Sequence, residues 1–200
     1  MLTFALIAAT LLVSWLAFNN PKLLHRLILW PPALQRQHQY DRLLTHGFIH
    51  ADWPHLLFNM LTLYFFGRGI EQLMTELIGP GVFVFFYLSA IVVAILPTYL
   101  RHRRDANYSS LGASGGVSAV LFASILLQPW TLIFIPIPVP AIVYAIGYVA
   151  YSFWMDRRGG DNVNHSAHLS GAIYGVLFML LMEPRIGPYF LQQLTSPQFR

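Results

Sequence analysis

Six apolar segments, each roughly as long as a lipid bilayer is thick, constrain the fold of this 200-residue chain more than any other feature. They cover approximately residues 2–18, 55–75, 81–100, 114–128, 139–155 and 167–183. A spanning helix needs about 20 mostly apolar residues. Charged residues make up only 10% of the chain, against roughly 25% in a typical soluble domain. The sequence therefore predicts an all-α membrane protein, a six-transmembrane-helix bundle formed by one domain over residues 1–200.

The connections between the apolar segments differ in character. Residues 19–53 form a long loop in which aliphatic, aromatic and basic side chains are mixed, as is typical of an element that lies in the membrane interface. We therefore expect the first loop to be partly embedded in the membrane. Before the fifth segment, alternating prolines over residues 135–140 exclude a helix interior and predict an extended lead-in, with the helix starting near Pro140.

Composition excludes several classes of protein. The chain has no cysteine, which excludes a disulfide framework, a thiolate nucleophile and a thiolate metal site. The net charge of +4 comes from basic residues in short loops, which suits lipid headgroups better than nucleic acid. Residues 2–18 have the length of a signal peptide but lack a basic start, and more apolar segments follow. They are interpreted as a first transmembrane helix.

A serine between small residues opens the fourth segment, in the run Gly112-Ala113-Ser114-Gly115. A polar residue at membrane depth is a candidate for function. The polar loop before it places Ser114 near a helix N-terminus, where free backbone N–H groups can hold an oxyanion. Two interpretations remain open. Ser114 is either a packing residue, since small residues are common where transmembrane helices meet, or the nucleophile of a hydrolase.

A histidine opens the sixth segment. Small residues follow His168 at helical spacing and recur on the fourth segment, namely Gly171 and Gly175, and Gly115 and Ala119. Packing these two faces together would bring Ser114 beside His168 and pair a hydroxyl nucleophile with an imidazole base. The alternative is a histidine that forms a hydrogen bond between helices.

Histidines also cluster before and within the second segment, at His46, His50 and His55, with Asn59 one turn after His55. One interpretation is a metal or haem site, because histidine is a common ligand. The other is a group of hydrogen-bond donors for a developing negative charge. Asn59 favours the donors, since an amide is a poor ligand for transition metals. The sequence therefore predicts no metal and no cofactor.

Together these motifs resemble the rhomboid family of intramembrane serine proteases. The matching motifs are His55-x-x-x-Asn59, Gly112-Ala113-Ser114-Gly115 and Ala167-His168-x-x-Gly171-x-x-x-Gly175. The run Gly67-Arg68-x-x-Glu71 and residues 134–138 also look like bacterial rhomboids. Order and spacing agree over nearly the whole stretch from Arg42 to Gly175.

The resemblance implies a role for each residue of the site. Ser114 would be the nucleophile and His168 the general base of a dyad without a carboxylate. The oxyanion hole would consist of His55, Asn59 and the backbone N–H of Ser114. The residues that line or support the cavity would be His50, Gly112, Gly115 and Gly171. The substrates would be transmembrane segments of other proteins, with the lipid bilayer as a partner and neither nucleic acid nor metal.

Two departures from the family pattern affect the expected site. Ser118 stands where many members carry an aromatic ring packed against the catalytic histidine, and Tyr174 is the candidate for filling that space. Asp41 replaces a tryptophan that often precedes the structural arginine of the first loop, here Arg42. The anchoring of that loop is therefore expected to differ.

The resemblance also implies an orientation. The N-terminus would lie in the cytoplasm of a bacterium, and the active site would open on the outer side of the inner membrane. That orientation puts nine basic residues outside and three inside, against the positive-inside rule, and we follow the family. The fifth helix, with Phe153 and Trp154, and the loop over residues 156–165 are the candidate gate and cap, with Gly159-Gly160 supplying flexibility.

Two other functions stay open on sequence alone. One is a catalytically inactive rhomboid-like membrane chaperone or adaptor, although such relatives usually lack the serine or the histidine. The other is a membrane protein that uses the histidine cluster to bind a metal or haem. Detection of a bound metal or a haem absorption band would favour the second.

Overall fold

The computed structural model describes residues 1–134 and 137–197 as a mostly helical protein. The helices in this part of the chain are α1 Leu2–Phe18, α2 Pro21–Leu27, α3 Pro31–Gln37, α4 Arg42–Thr45, α5 Trp53–Leu77, α6 Val82–His102, α7 Ser114–Leu127, α8 Ala141–Arg158, α9 His165–Met182 and α10 Ile186–Thr195. A 3-10 turn, His46–Phe48, follows α4. Strands β1 Leu132–Phe134 and β2 Pro138–Pro140 form an antiparallel hairpin before α8.

The longer helices differ in how well they suit a lipid environment. Among the residues described, two helices, α6 and α9, are long and apolar enough to cross a membrane by length and composition. The helices α1 and α7 are apolar but shorter. The helices α5 and α8 are long enough, but they carry polar or charged side chains, such as His55, Asn59 and the Asp156–Arg158 end.

Helix α7 occupies the centre of the molecule. All its residues from Gly115 to Ala123 are buried, and it packs against α5, α6 and most extensively α9. The contact with α9 is made by backbone, because a Cβ added to Gly171 would collide with the carbonyl oxygen of Gly115. A Cβ added to Gly175 would collide with that of Ala119. We call these four residues the α7–α9 seam.

The first loop is folded rather than a single interfacial element. Buried Arg42 donates hydrogen bonds to the carbonyl oxygens of His25, at 2.7 Å, and Ile28, at 2.6 Å. Its guanidinium thereby joins the start of α4 to the end of α2. Asp41 pairs with Arg26 at 2.7 Å. The loop is thus anchored by hydrogen bonds that Arg42 donates and by an exposed ion pair between Asp41 and Arg26.

Several element boundaries differ from the sequence predictions. Helix α8 begins at Ala141 because Pro138–Pro140 are extended and pair with β1. Helix α9 begins at His165, two residues before the predicted start, because the Asn164 side chain accepts a hydrogen bond from the Ala167 N–H at 3.0 Å and caps the helix. Neither the hairpin nor α10 was predicted. Ile135 and Pro136, part of the proline-rich run, lie outside the described residues.

Candidate active site

One cavity of about 960 Å³ brings the motif residues of three helices together. His55 and Asn59 from α5, Ser114 from α7 and His168 from α9 all line it. Polar residues of the loop before α7 and of the loop after α8 surround its mouth. The described part of the chain therefore contains one place where the four side chains singled out from sequence face a shared space.

Backbone N–H groups of the segment before α7 donate hydrogen bonds to two histidines, and these bonds hold the segment in place. The N–H of Gly112 donates to the carbonyl oxygen of His46 at 2.9 Å, and the N–H of Ala113 donates to Nε2 of His50 at 3.3 Å. The N–H of Ser114 has no acceptor among the described residues, as expected for the first residue of a helix. A free donor therefore lies at the residue that carries the candidate nucleophile.

His50 accepts a hydrogen bond from this segment and is not among the residues that line the cavity, so of the two predicted roles it has that of support. It is 1% exposed, and its Nδ1 lies 3.0 Å from Oγ of Ser14. Because Nε2 accepts from Ala113, the proton sits on Nδ1 and is donated to Ser14, whose own hydroxyl donates to the Phe48 carbonyl at 3.0 Å. Burial lowers the pKa of His50 to about 3, which keeps the ring neutral, and its two hydrogen bonds fix the tautomer.

Gly112 lets the His55 ring lie close to the backbone of the segment before α7. Its φ of +118° is unfavourable for any residue with a side chain, and an added Cβ would lie 2.7 Å from Cε1 of His55. One N–H of the Asn59 amide donates to the His55 carbonyl at 2.8 Å, which leaves the second N–H available. The two side chains predicted to be oxyanion donors thus lie on the cavity side of α5.

His168 is bordered by aromatic rings rather than by acceptors. Its ring stacks on that of Tyr148 from α8, with centroids 5.9 Å apart and planes 20° apart. The ring of His165 stands edge-on to it, also at 5.9 Å. Neither the His168 imidazole nor the Ser114 hydroxyl forms a hydrogen bond with any described residue. Hydrogen bonds between catalytic groups are often long before substrate binds, so a Ser114–His168 pair does not require this bond in the free protein.

The ring that was expected from Tyr174 comes from another helix. The Tyr174 hydroxyl lies 2.6 Å from Oγ of Ser89, and its ring stacks on Phe86 of α6, so it faces away from Ser118. Tyr148 instead places its hydroxyl 2.6 Å from Oγ of Ser118. The suggestion of Tyr174 is therefore wrong, and the space beside Ser118 is filled from α8.

The spacing of three tyrosines on α8 could have revealed Tyr148. Tyr144, Tyr148 and Tyr151 recur at intervals of four and three residues, so they lie along one face of the helix. This spacing is the only sequence signal for Tyr148, because Ser118 indicates only that α7 lacks a ring at that position. The tyrosine spacing on α8 and the missing ring at Ser118 would together have predicted that α8 supplies the ring beside His168.

The cap loop is shorter than predicted and is tied to α9. It covers residues 159–164, since α8 continues to Arg158 and α9 starts at His165. Gly159 and Gly160 both have positive φ. Asp161 accepts a hydrogen bond from Nε2 of buried His165 at 3.0 Å, and this bond lowers the pKa of the Asp161 carboxyl.

The remaining predicted support residues lie in the helix packing. Gly115 and Gly171 belong to the α7–α9 seam and set the distance between the helices that carry Ser114 and His168. Among the described residues there is no group of three or more His, Cys, Asp or Glu side chains arranged to hold a metal ion.

Comparison with known proteins identifies the family. A family model described as Rhomboid domain matches residues 37–185. RHOMBOID-like protein 12, mitochondrial, of Arabidopsis thaliana is 27% identical over 181 residues, which cover 82% of this chain and 52% of that protein. The Bacillus subtilis (strain 168) protein named Putative rhomboid protease YdcA is 25% identical over 175 residues, covering 84% of this chain and 82% of that protein.

A third relative, Rhomboid protease GluP of the same Bacillus strain, is 28% identical over 167 residues that cover 82% of this chain and 30% of GluP. The chain thus spans about half the length of the Arabidopsis relative and a smaller part of GluP. The relatives include mitochondrial and bacterial proteins. The match over residues 37–185 shows that this chain belongs to the rhomboid family of integral membrane proteins.

Proposed function

We propose that this chain is an intramembrane serine endopeptidase that cuts transmembrane segments of other membrane proteins. Ser114 is the nucleophile, His168 is the general base, and His55, Asn59 and the Ser114 N–H stabilise the oxyanion. The observation that carries the proposal is that these side chains, drawn from α5, α7 and α9, line one cavity. The names of two Bacillus relatives, both called rhomboid proteases, support the same activity.

The reaction needs only groups that the cavity provides. The Ser114 Oγ attacks the carbonyl carbon of the peptide bond while His168 takes the hydroxyl proton. The negative charge on the carbonyl oxygen is stabilised by the Ser114 N–H and by the donors on α5. Collapse of the intermediate breaks the C–N bond, and His168 gives its proton to the leaving amine. Water then hydrolyses the acyl-enzyme by the same steps.

The substrate enters from the side between α5 and α8. These two helices, all of whose residues are described, hardly touch each other, whereas α7 and α9 are packed backbone to backbone. Phe58 and Tyr144 line the cavity on this side. A transmembrane segment that unwinds locally could present its peptide bond through such an opening, while polar residues at the mouth admit water.

The same proposal includes the membrane arrangement. The six longest helices, α1 and α5 to α9, span the bilayer as one domain over residues 1–200, and the cavity opens on the outer side of a bacterial inner membrane. Because the chain has no cysteine, single substitutions can test this directly. Asn162→Cys in the cap loop should react with a membrane-impermeant maleimide in intact cells, and Gln72→Cys at the opposite end of α5 should not. The reverse pattern would overturn the orientation.

A cleavage assay tests the activity. Protein purified in detergent and returned to liposomes is incubated with a single-span substrate that contains small residues and a helix-weakening glycine or proline. Wild-type protein should produce one main cut, and Ser114→Ala should produce none. A fluorophosphonate probe should label the wild type at Ser114. Equal cleavage by both proteins would overturn the proposal.

A further inference from the structure

Four rings join α8 to α9 beside the cavity. Tyr148 stacks on His168, and Tyr151 stands edge-on to His165, with centroids 5.6 Å apart. Tyr148 and Tyr151 are three residues apart on α8, and so are His165 and His168 on α9. The antiparallel helices therefore meet in two successive ring pairs, which we call the four-ring cluster.

Within this cluster Tyr148 is fixed at both ends. Its hydroxyl lies 2.6 Å from Ser118 on α7, and its ring covers the ring of His168 on α9. The side chain therefore bridges three helices. The imidazole of His168 has no hydrogen-bond partner among the described residues, so ring contacts from Tyr148 and His165 are what limit its rotation.

Helix α8, which carries Tyr148, is held loosely elsewhere. Among its residues only Ala141, Ala145 and Ser152 are buried, and its packing against α7 is slight. At its outer end an exposed ion pair joins Asp156 to Arg101 of α6 at 3.2 Å. The helix that orients the imidazole is thus also the less tightly packed side of the cavity.

We propose that Tyr148 is the positioning residue for His168, and that displacement of α8 withdraws its ring and misaligns the base. The inference rests on the proposed function, because it gives His168 the role of base. When α8 moves away from α5 to admit a substrate, the His168 imidazole loses its alignment with Ser114. Turnover would then require α8 to return to its place once the substrate has entered.

The test compares variants at position 148. Tyr148→Leu removes the ring, and kcat should fall roughly tenfold to a hundredfold with KM nearly unchanged, because a misplaced group lowers the rate of the chemical step. Tyr148→Phe keeps the ring and loses only the bond to Ser118, so it should retain most of kcat. Val149→Ala, on the exposed face of the same helix, is the matched control and should behave like wild type.

A rescue experiment places an aromatic ring on α7 to replace the one removed from α8. Ser118→Tyr in the Tyr148→Leu background puts an aromatic ring at the position where many rhomboids carry one, and it should recover most of the lost kcat. Tyr151→Leu removes only the outer ring pair and should reduce kcat less than Tyr148→Leu does. Thermal unfolding of each variant shows that it is folded, and Tyr148→Met replaces Tyr148→Leu if the leucine variant does not fold.

The outcomes separate the two proposals. If Ser114→Ala is inactive while Tyr148→Leu keeps the kcat of wild type, the positioning role is wrong and the protease assignment stands. If Tyr148→Phe is as impaired as Tyr148→Leu, the hydroxyl rather than the ring matters, and the inference is overturned. If Ser114→Ala cleaves as well as wild type, the protease assignment itself fails.

Discussion

Helix α9, which carries His168, packs against its two neighbours α7 and α8 in different ways. On one side, α9 meets α7 through glycines, and backbone atoms of the two helices touch at Gly171 and Gly175. On the other side, α9 meets α8 through aromatic rings, and α8 leaves much of its surface exposed. Backbone contact leaves little room for adjustment, whereas ring contacts can slide and separate.

This difference indicates how one histidine can be both fixed and accessible. The α7–α9 seam sets the separation between the helices that carry Ser114 and His168, since backbone contact prevents a closer approach and separation would open a void. In the proposed mechanism, the α8 side adjusts to the substrate. Variants that disturb the seam should therefore act through stability, and variants on the cavity side should act through turnover.

The largest effect is expected at the residues that the seam holds together. Ser114→Ala and His168→Ala should each lower kcat/KM by roughly 10⁴-fold or more, with thermal unfolding near that of wild type, and the double variant should be no worse. Residues that act as one unit lose activity together. Substantial cleavage and probe labelling in His168→Ala would show that another group acts as the base.

A smaller effect is expected for the donors on α5. Asn59→Ala should lower kcat by about 10²-fold with little change in KM, because the interaction forms mainly in the transition state. A strong chelator should leave wild-type activity unchanged. Loss of activity in the chelator, followed by recovery with added Zn²⁺, would instead make His55 and its neighbours ligands.

The seam itself is tested by a pair of glycine variants. Gly175→Ala should destabilise the protein by about 1–3 kcal/mol, since the new Cβ overlaps the Ala119 carbonyl. Gly147→Ala on α8, where no atom lies within 4 Å of the added Cβ, should be neutral or slightly stabilising. Thermal unfolding in one detergent measures both. Equal effects would mean that the seam is no more constrained than α8.

The smallest effect is expected at the outer end of α8. Asp156→Asn removes the ion pair with Arg101, whose side chain is 53% exposed, and should lower the free energy of unfolding by less than about 1 kcal/mol. Unfolding at low and high salt checks this, since salt should remove the difference. A large loss at both salt concentrations would show that this pair, rather than the rings, holds α8.

Much of this arrangement was predictable because it depends on local sequence. Helical spacing of small residues at Gly171 and Gly175 predicted a close helix contact, and the polar loop before Ser114 predicted a helix start there. What sequence did not give depends on distant residues. The place of the Tyr148 ring depends on how α8 lies across α9, and the support of Ala113 by His50 joins residues 63 positions apart.

The far end of α5 holds a contact of a different kind. Buried Glu71 accepts hydrogen bonds from the backbone N–H groups of Leu2 and Thr3, at 2.6 and 2.9 Å, and from the Thr3 hydroxyl at 2.6 Å. During synthesis these donors of α1 emerge well before Glu71 does. Helix α1 therefore acquires this partner for its N-terminal end only when most of α5 has been made.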